Sequence, residues 1–302
     1  MSQENKIATI GFFDGVHGGH RHLISQVIDE ARRRHGMPVV VTFRSHPRTV
    51  ISGQSVPLLT IDDEKSRLLH ELGIMKIYTI DFTTEISQMS ARDFMQHVLL
   101  QQIGVSTLVI GYDHRFGRDR AESFDDYVCY GRELGIDVVR ADAFKADGQP
   151  VSSSRIRHLL ADEGDVSEAT RLLGHPFCLR GRVVEGFHRG RTLGYPTANM
   201  QVSPLKLLPR DGVYSARVET EWGTFDAMLN VGMNPTYTNS VRTVEAHLFD
   251  FDHSLYDTTI SAALFHHIRD EQPFASADEL MSQLLHDERV IRRLLSARRA
   301  AP

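Results

Sequence analysis

Up to about residue 141 the chain alternates short apolar runs with segments whose apolar residues recur every third or fourth position. The runs at 6–12, 38–43, 76–80, 107–111 and 137–140 predict strands. Four of the five carry clustered β-branched residues with little polar alternation, the pattern of strands buried on both faces. Between them, the spacing predicts helices over 19–35, 61–72, 90–102 and 124–134. In the first, Leu23, Ile24, Val27, Ile28 and Ala31 share one face. Ser90 is placed to cap the third helix, and Gly73, Gly104 and Gly135 stand where helices stop. Strict β/α alternation implies a parallel sheet with flanking helices, whose ligands bind beyond the carboxyl ends of the strands.

A polar turn, SSSRIR at 152–157, leads into a helix-like 167–173, which Gly174, His175 and Pro176 end. We place a domain boundary there, giving segments 1–175 and 176–302. Past it the period shortens to two. Runs at 178–185, 212–219, 224–231, 243–251 and 259–268 predict the antiparallel strands of a small β-barrel. A terminal helix follows, from a Ser276 cap to about Leu295, and the tail SARRAAP reads as frayed. The fold class is therefore α/β, with a C-terminal antiparallel barrel.

The chain has 302 residues, 41% of them hydrophobic and 24% charged, ample for two cores. A net charge of −5 argues against a broad nucleic-acid-binding surface. Cys129 and Cys178 lie outside any CxxC spacing, which fits a reducing compartment. No apolar run approaches the roughly 20 residues needed to span a bilayer, and the N-terminus lacks a signal-peptide core. The expected address is the cytoplasm, without nucleic-acid or membrane partners. Nothing in the sequence specifies an oligomeric state.

Candidate chemistry concentrates in a few segments. IGFFDGVHGGH, residues 10–20, joins the first strand to the first helix. A helix start offers unsatisfied N–H groups and partial positive charge, which suits phosphate. His17 and His20 beside it are placed to hold a triphosphate. Two histidines without a Cys or carboxylate partner make a poor zinc site. SSSRIR supplies Ser153, Ser154 and Arg157, hydroxyls and a guanidinium that match phosphate oxygens. GYDHRFG, 111–117, follows a strand and presents Asp113 and Phe116. In GFHRGRTLGYPTAN, 186–199, Arg189 and Arg191 suit a flap over anionic groups. Thr197 and Asn199 there are hard oxygen ligands suited to Mg2+ held jointly with nucleotide phosphates. Glu245, between Val244 and Ala246, points to the face opposite theirs, either as an outward salt-bridge partner or as a base facing the barrel mouth.

In this order these motifs resemble the bacterial bifunctional riboflavin kinase/FAD synthetases over about residues 7–295. GFFDGVHGGH, TFRSHPR, GYDHRFG and SSSRIR resemble the adenylyltransferase half. PTAN, DGVYSARV, LNVGMNPTY, VEAHLFDF and IRDEQPF resemble the kinase half. The resemblance implies a nucleotidyltransferase-like sheet and two reactions, riboflavin to FMN in the barrel and FMN to FAD in the first domain. ATP would be the co-substrate of both, with Mg2+. It assigns Glu245 as the kinase base and Thr197, Asn199 and Gly190 to Mg·ATP. His17 and His20, with Gly11, Phe13, Asp14, Gly19, Ser153, Ser154 and Arg157, go to the ATP of the second reaction. Asp113, Phe116 and Arg269 go to flavin. Phe12, where the family usually has Asn, and Arg44 and Ser45 ahead of His46 depart from its pattern. Two other readings fit the residues: a nucleotidyltransferase for another phosphate acceptor, and a flavin- or nucleotide-binding module without turnover.

Overall fold

A computed structural model describes residues 4–118, 120–186, 194–234 and 241–300. The chain divides into two compact units, 1–153 and 154–302.

The first unit is a five-stranded sheet ordered β3-β2-β1-β4-β5. Its strands are β1 (Lys6–Ile10), β2 (Met37–Phe43), β3 (Lys76–Ile80), β4 (Val105–Ile110) and β5 (Asp137–Arg140). Every pairing is parallel. Successive residues of these strands are buried in opposite directions, so both faces need an apolar cover. Ile7, Val40 and Val109 pack towards helices α1 (Gly18–Arg33) and α3 (Asp62–Glu71). Ala8, Ile10, Val39, Val41 and Leu108 pack with Phe94, Val98 and Leu99 and with Tyr127 of α6 (Phe124–Leu134).

The third predicted helix begins at Ser90, whose hydroxyl accepts the Asp93 N–H. Only α5 (Ala91–Asp93) is α-helical, and Phe94–Ile103 is wound as a π-helix. The buried residues Phe94, Val98, Leu99 and Ile103 are spaced four or five apart, which the wider π turn keeps on one face. Left-handed Gly104 and Gly135 end this helix and α6. Two short helices that the periodicity does not reveal, α2 (Pro47–Ser52) and α4 (Thr84–Gln88), bury no side chain, which is why no apolar stripe marks them. A ribbon of β6 (Lys145–Ala146) and β7 (Gln149–Pro150) completes the unit.

In the second unit, the segment read as a polar turn is helical. It forms α7 (Ser153–His158), continued by π turns over Leu159–Glu163, because Ile156, Leu159 and Leu160 are buried together. Helix α8 (Val166–Leu173) follows and ends at left-handed Gly174. Six antiparallel strands then close into a barrel. They are β8 (Phe177–Val184), β9 (Ala198–Val202), β10 (Gly212–Thr220), β11 (Gly223–Asn234), β12 (Val241–Leu248) and β13 (Thr259–Arg269). Five match predicted runs. Strand β9 does not, because it buries only Met200 and owes its conformation to β8 and β12 on either side.

The terminal helix α9 (Ala277–Ala300) extends past Leu295 into the segment whose sequence predicts fraying. Arg299 pairs with Asp226 at 2.8 Å, and Arg298 lies 4.5 Å over the Phe265 ring. Barrel partners thus hold the last turn. None of the described helices is long and apolar enough to cross a membrane.

Candidate active sites

The sheet order of the first unit reverses direction between β1 and β4, the seam beyond which α/β sheets bind ligands. Two loops flank it. After β1, the Gly11 N–H bonds to Val41 O at 3.1 Å, extending the β1–β2 pairing by one residue. Phe13, Gly15 and Val16 then take positive φ and fold the chain into one tight turn. Buried Asp14 holds that turn, accepting the Thr60 N–H at 3.0 Å. The Thr60 hydroxyl in turn accepts the Gly15 N–H at 2.9 Å.

His17 caps α1, its Nδ1 accepting the His20 N–H at 3.3 Å. A neutral His17 therefore carries its proton on Nε2, the donor that a phosphate oxygen requires. The His17 and His20 rings stack, with centroids 3.6 Å apart and planes 15° off parallel. Phe13 meets His20 edge-on at 5.2 Å. A Cβ on Gly19 would lie 3.3 Å from the His17 ring, so a side chain there would crowd the stack. The Ser153 hydroxyl donates to Asp14 O at 3.0 Å, which brings Ser153 back to the turn. Ser154 and Arg157 lie beyond it on α7, in the second unit.

From the β4 side comes GYDHRFG. Asp113 is exposed, whereas Phe116 is buried and stacks on Tyr127 at 4.5 Å. Sequence reasoning passed over His114 in this segment. Its side chain is sunk enough that burial first, and then the Arg120 charge, push its pKa down to about 4, against the pull of Asp113. His20 is likewise held well below the ordinary histidine range, by burial first, then by the charges of His17 and His114. Lys65 also lines this end of the sheet, 4.6 Å over the Phe12 ring, with its Nζ donating to Phe43 O. Burial lowers its pKa, and Asp62 opposes the shift.

In the barrel, the side chains of Ala227, Leu229, Val244 and Ala246 are fully buried. The alternate residues of the same strands, Met228, Asn230, Glu245 and His247, line a cavity of about 550 Å3. Leu280 and Leu284 of α9 and the 271–274 segment close its sides. Register sets three polar residues in a row across neighbouring strands: Asn230 opposite Glu245, and Glu245 opposite Asn199. The Thr197 hydroxyl donates to Glu245 Oε2 at 3.3 Å. Pro196 O bonds to His247 Nδ1 at 2.8 Å, and the Tyr195 hydroxyl donates to Glu288 of α9 at 3.0 Å. PTAN is therefore tied to β12, and its leading Tyr195 to α9. Asn230 and Glu271 escaped the sequence reading as single residues, though both lie in segments it quoted. Asn230 Nδ2 donates to Glu271 Oε1 at 3.1 Å inside the cavity.

Arg269 lines the same cavity but spends its Nε on Asp287, 2.8 Å away. Asp287 is 1% exposed and also accepts from Gln283. Removing one partner of a buried pair leaves an uncompensated charge. Arg269→Met is thus expected to destabilise the barrel unit by about 3 kcal/mol in denaturant unfolding, and adding Asp287→Asn to recover much of it.

The donor set suits Mg2+. Thr197 and Asn199 offer hard oxygens beside Glu245, and among the described residues no group of three or more His, Cys, Asp or Glu is placed to hold a metal ion. Few protein oxygens, completed by phosphates, is how Mg2+ is usually held. Gly190, Arg189 and Arg191 lie outside the described residues.

Comparison with known proteins also finds two parts in the chain, with a stretch between them that neither covers. A family model described as FAD synthetase matches residues 1–155, and one described as riboflavin kinase matches 173–295. The chain is 37% identical over 292 residues to a bifunctional riboflavin kinase/FMN adenylyltransferase of Escherichia coli, covering 95% of this chain and 91% of that protein. The counterpart of the same name from Listeria monocytogenes is 32% identical, covering 94% and 90%. Among solved structures, one described as a macrolide-efflux protein from Streptococcus pneumoniae superimposes with a TM-score of 0.87. It is 32% identical, covering 97% of this chain and 95% of that one.

Proposed function

Because the chain belongs to the bifunctional riboflavin kinase/FMN adenylyltransferase family, we propose that each unit carries one of the two reactions at the site described for it. The barrel transfers the γ-phosphoryl group of ATP to the ribityl 5′-hydroxyl of riboflavin, giving FMN and ADP. The sheet unit then joins FMN to the AMP portion of a second ATP, giving FAD and pyrophosphate. The observation that carries the kinase half is the Asn230–Glu245–Asn199 row, with Thr197 on Glu245, at the wall of a cavity large enough for a tricyclic ring.

In the barrel, Glu245 takes the proton of the ribityl hydroxyl as its oxygen attacks the γ-phosphorus. Thr197 and Asn199 would hold Mg2+, which neutralises phosphate charge when bound. The apolar walls, Val213, Met228 and Phe274 among them, receive the flavin ring and exclude water from the attacking hydroxyl. Phosphoryl transfer asks mainly for such positioning. A Cβ on Gly186 would lie 2.0 Å from the Asn199 carboxamide. Gly186→Ala is therefore expected to displace Asn199 and slow FMN formation at least about tenfold, a rise of roughly 1.4 kcal/mol in the barrier. FAD formation from supplied FMN should be unchanged.

In the sheet unit no strong base is needed, because the FMN phosphate is already anionic. Its oxygen attacks the α-phosphorus while the bond to the β,γ-pyrophosphate breaks. Charge builds on that leaving group, where the α1 start, His17 and His20 meet it. Ser153, fixed to the Asp14 turn, stands beside them. Asp113, exposed at the loop after β4, is available to a flavin or adenine edge.

The direct test is incubation with riboflavin, ATP and Mg2+, with products separated by chromatography. FMN appearing first and FAD following at its expense is the expected course. If neither forms, the assignment fails.

A further inference from the structure

We propose that His114 forms the second wall of the triphosphate site, donating a hydrogen bond to a phosphate oxygen across the seam from His20. The inference rests on placing adenylyl transfer at the start of α1.

Strands β1 and β4 are parallel neighbours, so the loops leaving their carboxyl ends lie side by side at the seam where such sheets bind ligands. His20 stands on the β1 side. His114 stands on the β4 side, its backbone N–H bonded to Gly111 O at 3.1 Å. One nitrogen of each ring, His20 Nδ1 and His114 Nε2, is buried without a hydrogen-bond partner in the protein. A histidine kept for packing normally has such a nitrogen satisfied. Of the buried histidine nitrogens left unsatisfied among the described residues, these two belong to rings on the neighbouring β1 and β4 sides, within electrostatic reach of each other. An anion entering between them answers both. Phosphate oxygens only accept hydrogen bonds, so each ring nitrogen that meets one must carry a proton.

The surroundings give that contact a sign. His114 feels Arg120 and Asp113 of its own loop and acts on His20 of α1, which is also repelled by His17. Arg140 of β5 is turned aside, stacked 4.6 Å over Tyr112 and 5.3 Å from Phe124. Without nucleotide the crowded imidazoles are neutral at pH 7, since burial and mutual repulsion disfavour charge. A triphosphate reverses both effects, so the pair takes up protons as ATP binds. Uptake on binding means that affinity is gained as pH falls. For each proton taken up, the dependence approaches tenfold per pH unit, above the His114 value of about 4 and below its value in the complex.

The experiment follows kcat/KM for ATP in FAD formation from supplied FMN between pH 6 and 8. It compares wild type, His114→Gln and His20→Ala, with riboflavin phosphorylation measured on the same preparations. Glutamine keeps a donor but cannot gain a proton. His114→Gln is expected to lose three- to tenfold at pH 6, to approach wild type at pH 8, and so to show a flatter profile. A profile parallel to wild type overturns the proposal. If His20→Ala also leaves FAD formation intact, the placement of adenylyl transfer at α1 falls with it. If only His20→Ala impairs the reaction, the placement stands and the role of His114 is rejected. A second readout needs no substitution. In 15N-histidine spectra of the unaltered protein, a non-hydrolysable ATP analogue should turn a neutral ring signal cationic, and rings that all stay neutral overturn the proposal.

Discussion

Glu245→Gln is expected to lower the rate of FMN formation by about 10²–10⁴-fold while leaving the conversion of supplied FMN to FAD at its wild-type rate. Glutamine keeps the shape of the side chain and an oxygen for the Thr197 hydroxyl, which lies 3.3 Å from the carboxylate. The barrel should therefore stay folded and the cavity intact. What disappears is the basic oxygen. A ribityl hydroxyl is a poor nucleophile at neutral pH, and without an acceptor for its proton the developing oxyanion has nowhere to send its charge. The loss should fall on kcat, with KM for riboflavin and ATP changed little, because glutamine still fills the same volume. Rates measured by chromatography with either riboflavin or FMN as the starting flavin separate the two outcomes. Retention of even a tenth of the kinase rate would remove Glu245 from the role of base and return it to the outward salt-bridge reading.

His20→Ala is the complementary experiment, expected to cost about 10²–10³-fold in FAD formation and nothing in FMN formation. His20 stacks on His17 at 3.6 Å, and its own backbone N–H is what His17 caps. Alanine preserves that N–H and so preserves the cap. The helix start, with its unsatisfied amides, survives the change. Only the imidazole is lost, together with the support it gives to the face of His17. The effect should be larger on kcat than on KM for ATP, since leaving-group charge is greatest as the α–β bond breaks. FAD synthesis that stays within a few-fold of wild type would place the pyrophosphate elsewhere.

Much of this is legible in the amino-acid sequence. The three central runs of the parallel sheet, β1, β2 and β4, stand out because each is covered on both faces, so burial erases the polar positions and leaves clustered Val and Ile, whereas the edge strands β3 and β5 are only half-buried. Phosphate chemistry at residues 10–20 was legible for a similar reason, because strand, tight turn and helix start are local in sequence. What stayed hidden is what depends on distant partners. Strand β9 has one buried residue and exists because β8 and β12 hydrogen-bond to both its edges. The last turn of α9 carries no apolar stripe and is held instead by distant partners, Asp226 against Arg299 and Phe265 beneath Arg298. His114 goes unmarked in its loop, since nothing local says that its ring is sunk within electrostatic reach of His20. Arg269 was assigned to flavin by resemblance, and its short bond to buried Asp287 gives it a structural duty that no motif announces.

The row formed by Asn230, Glu245 and Asn199 has a consequence for how this barrel tolerates change in length. Its members are aligned by strand register alone, and the residues on either side of Glu245 face the opposite way. Deleting a single residue from β12 ahead of Glu245, with the pairing otherwise kept, would swing the carboxylate into the barrel interior and bring an apolar side chain out to the ATP. Indels in β12 should thus be purged more strictly than any substitution on its surface, whereas the turn between β10 and β11 can change length without moving the row.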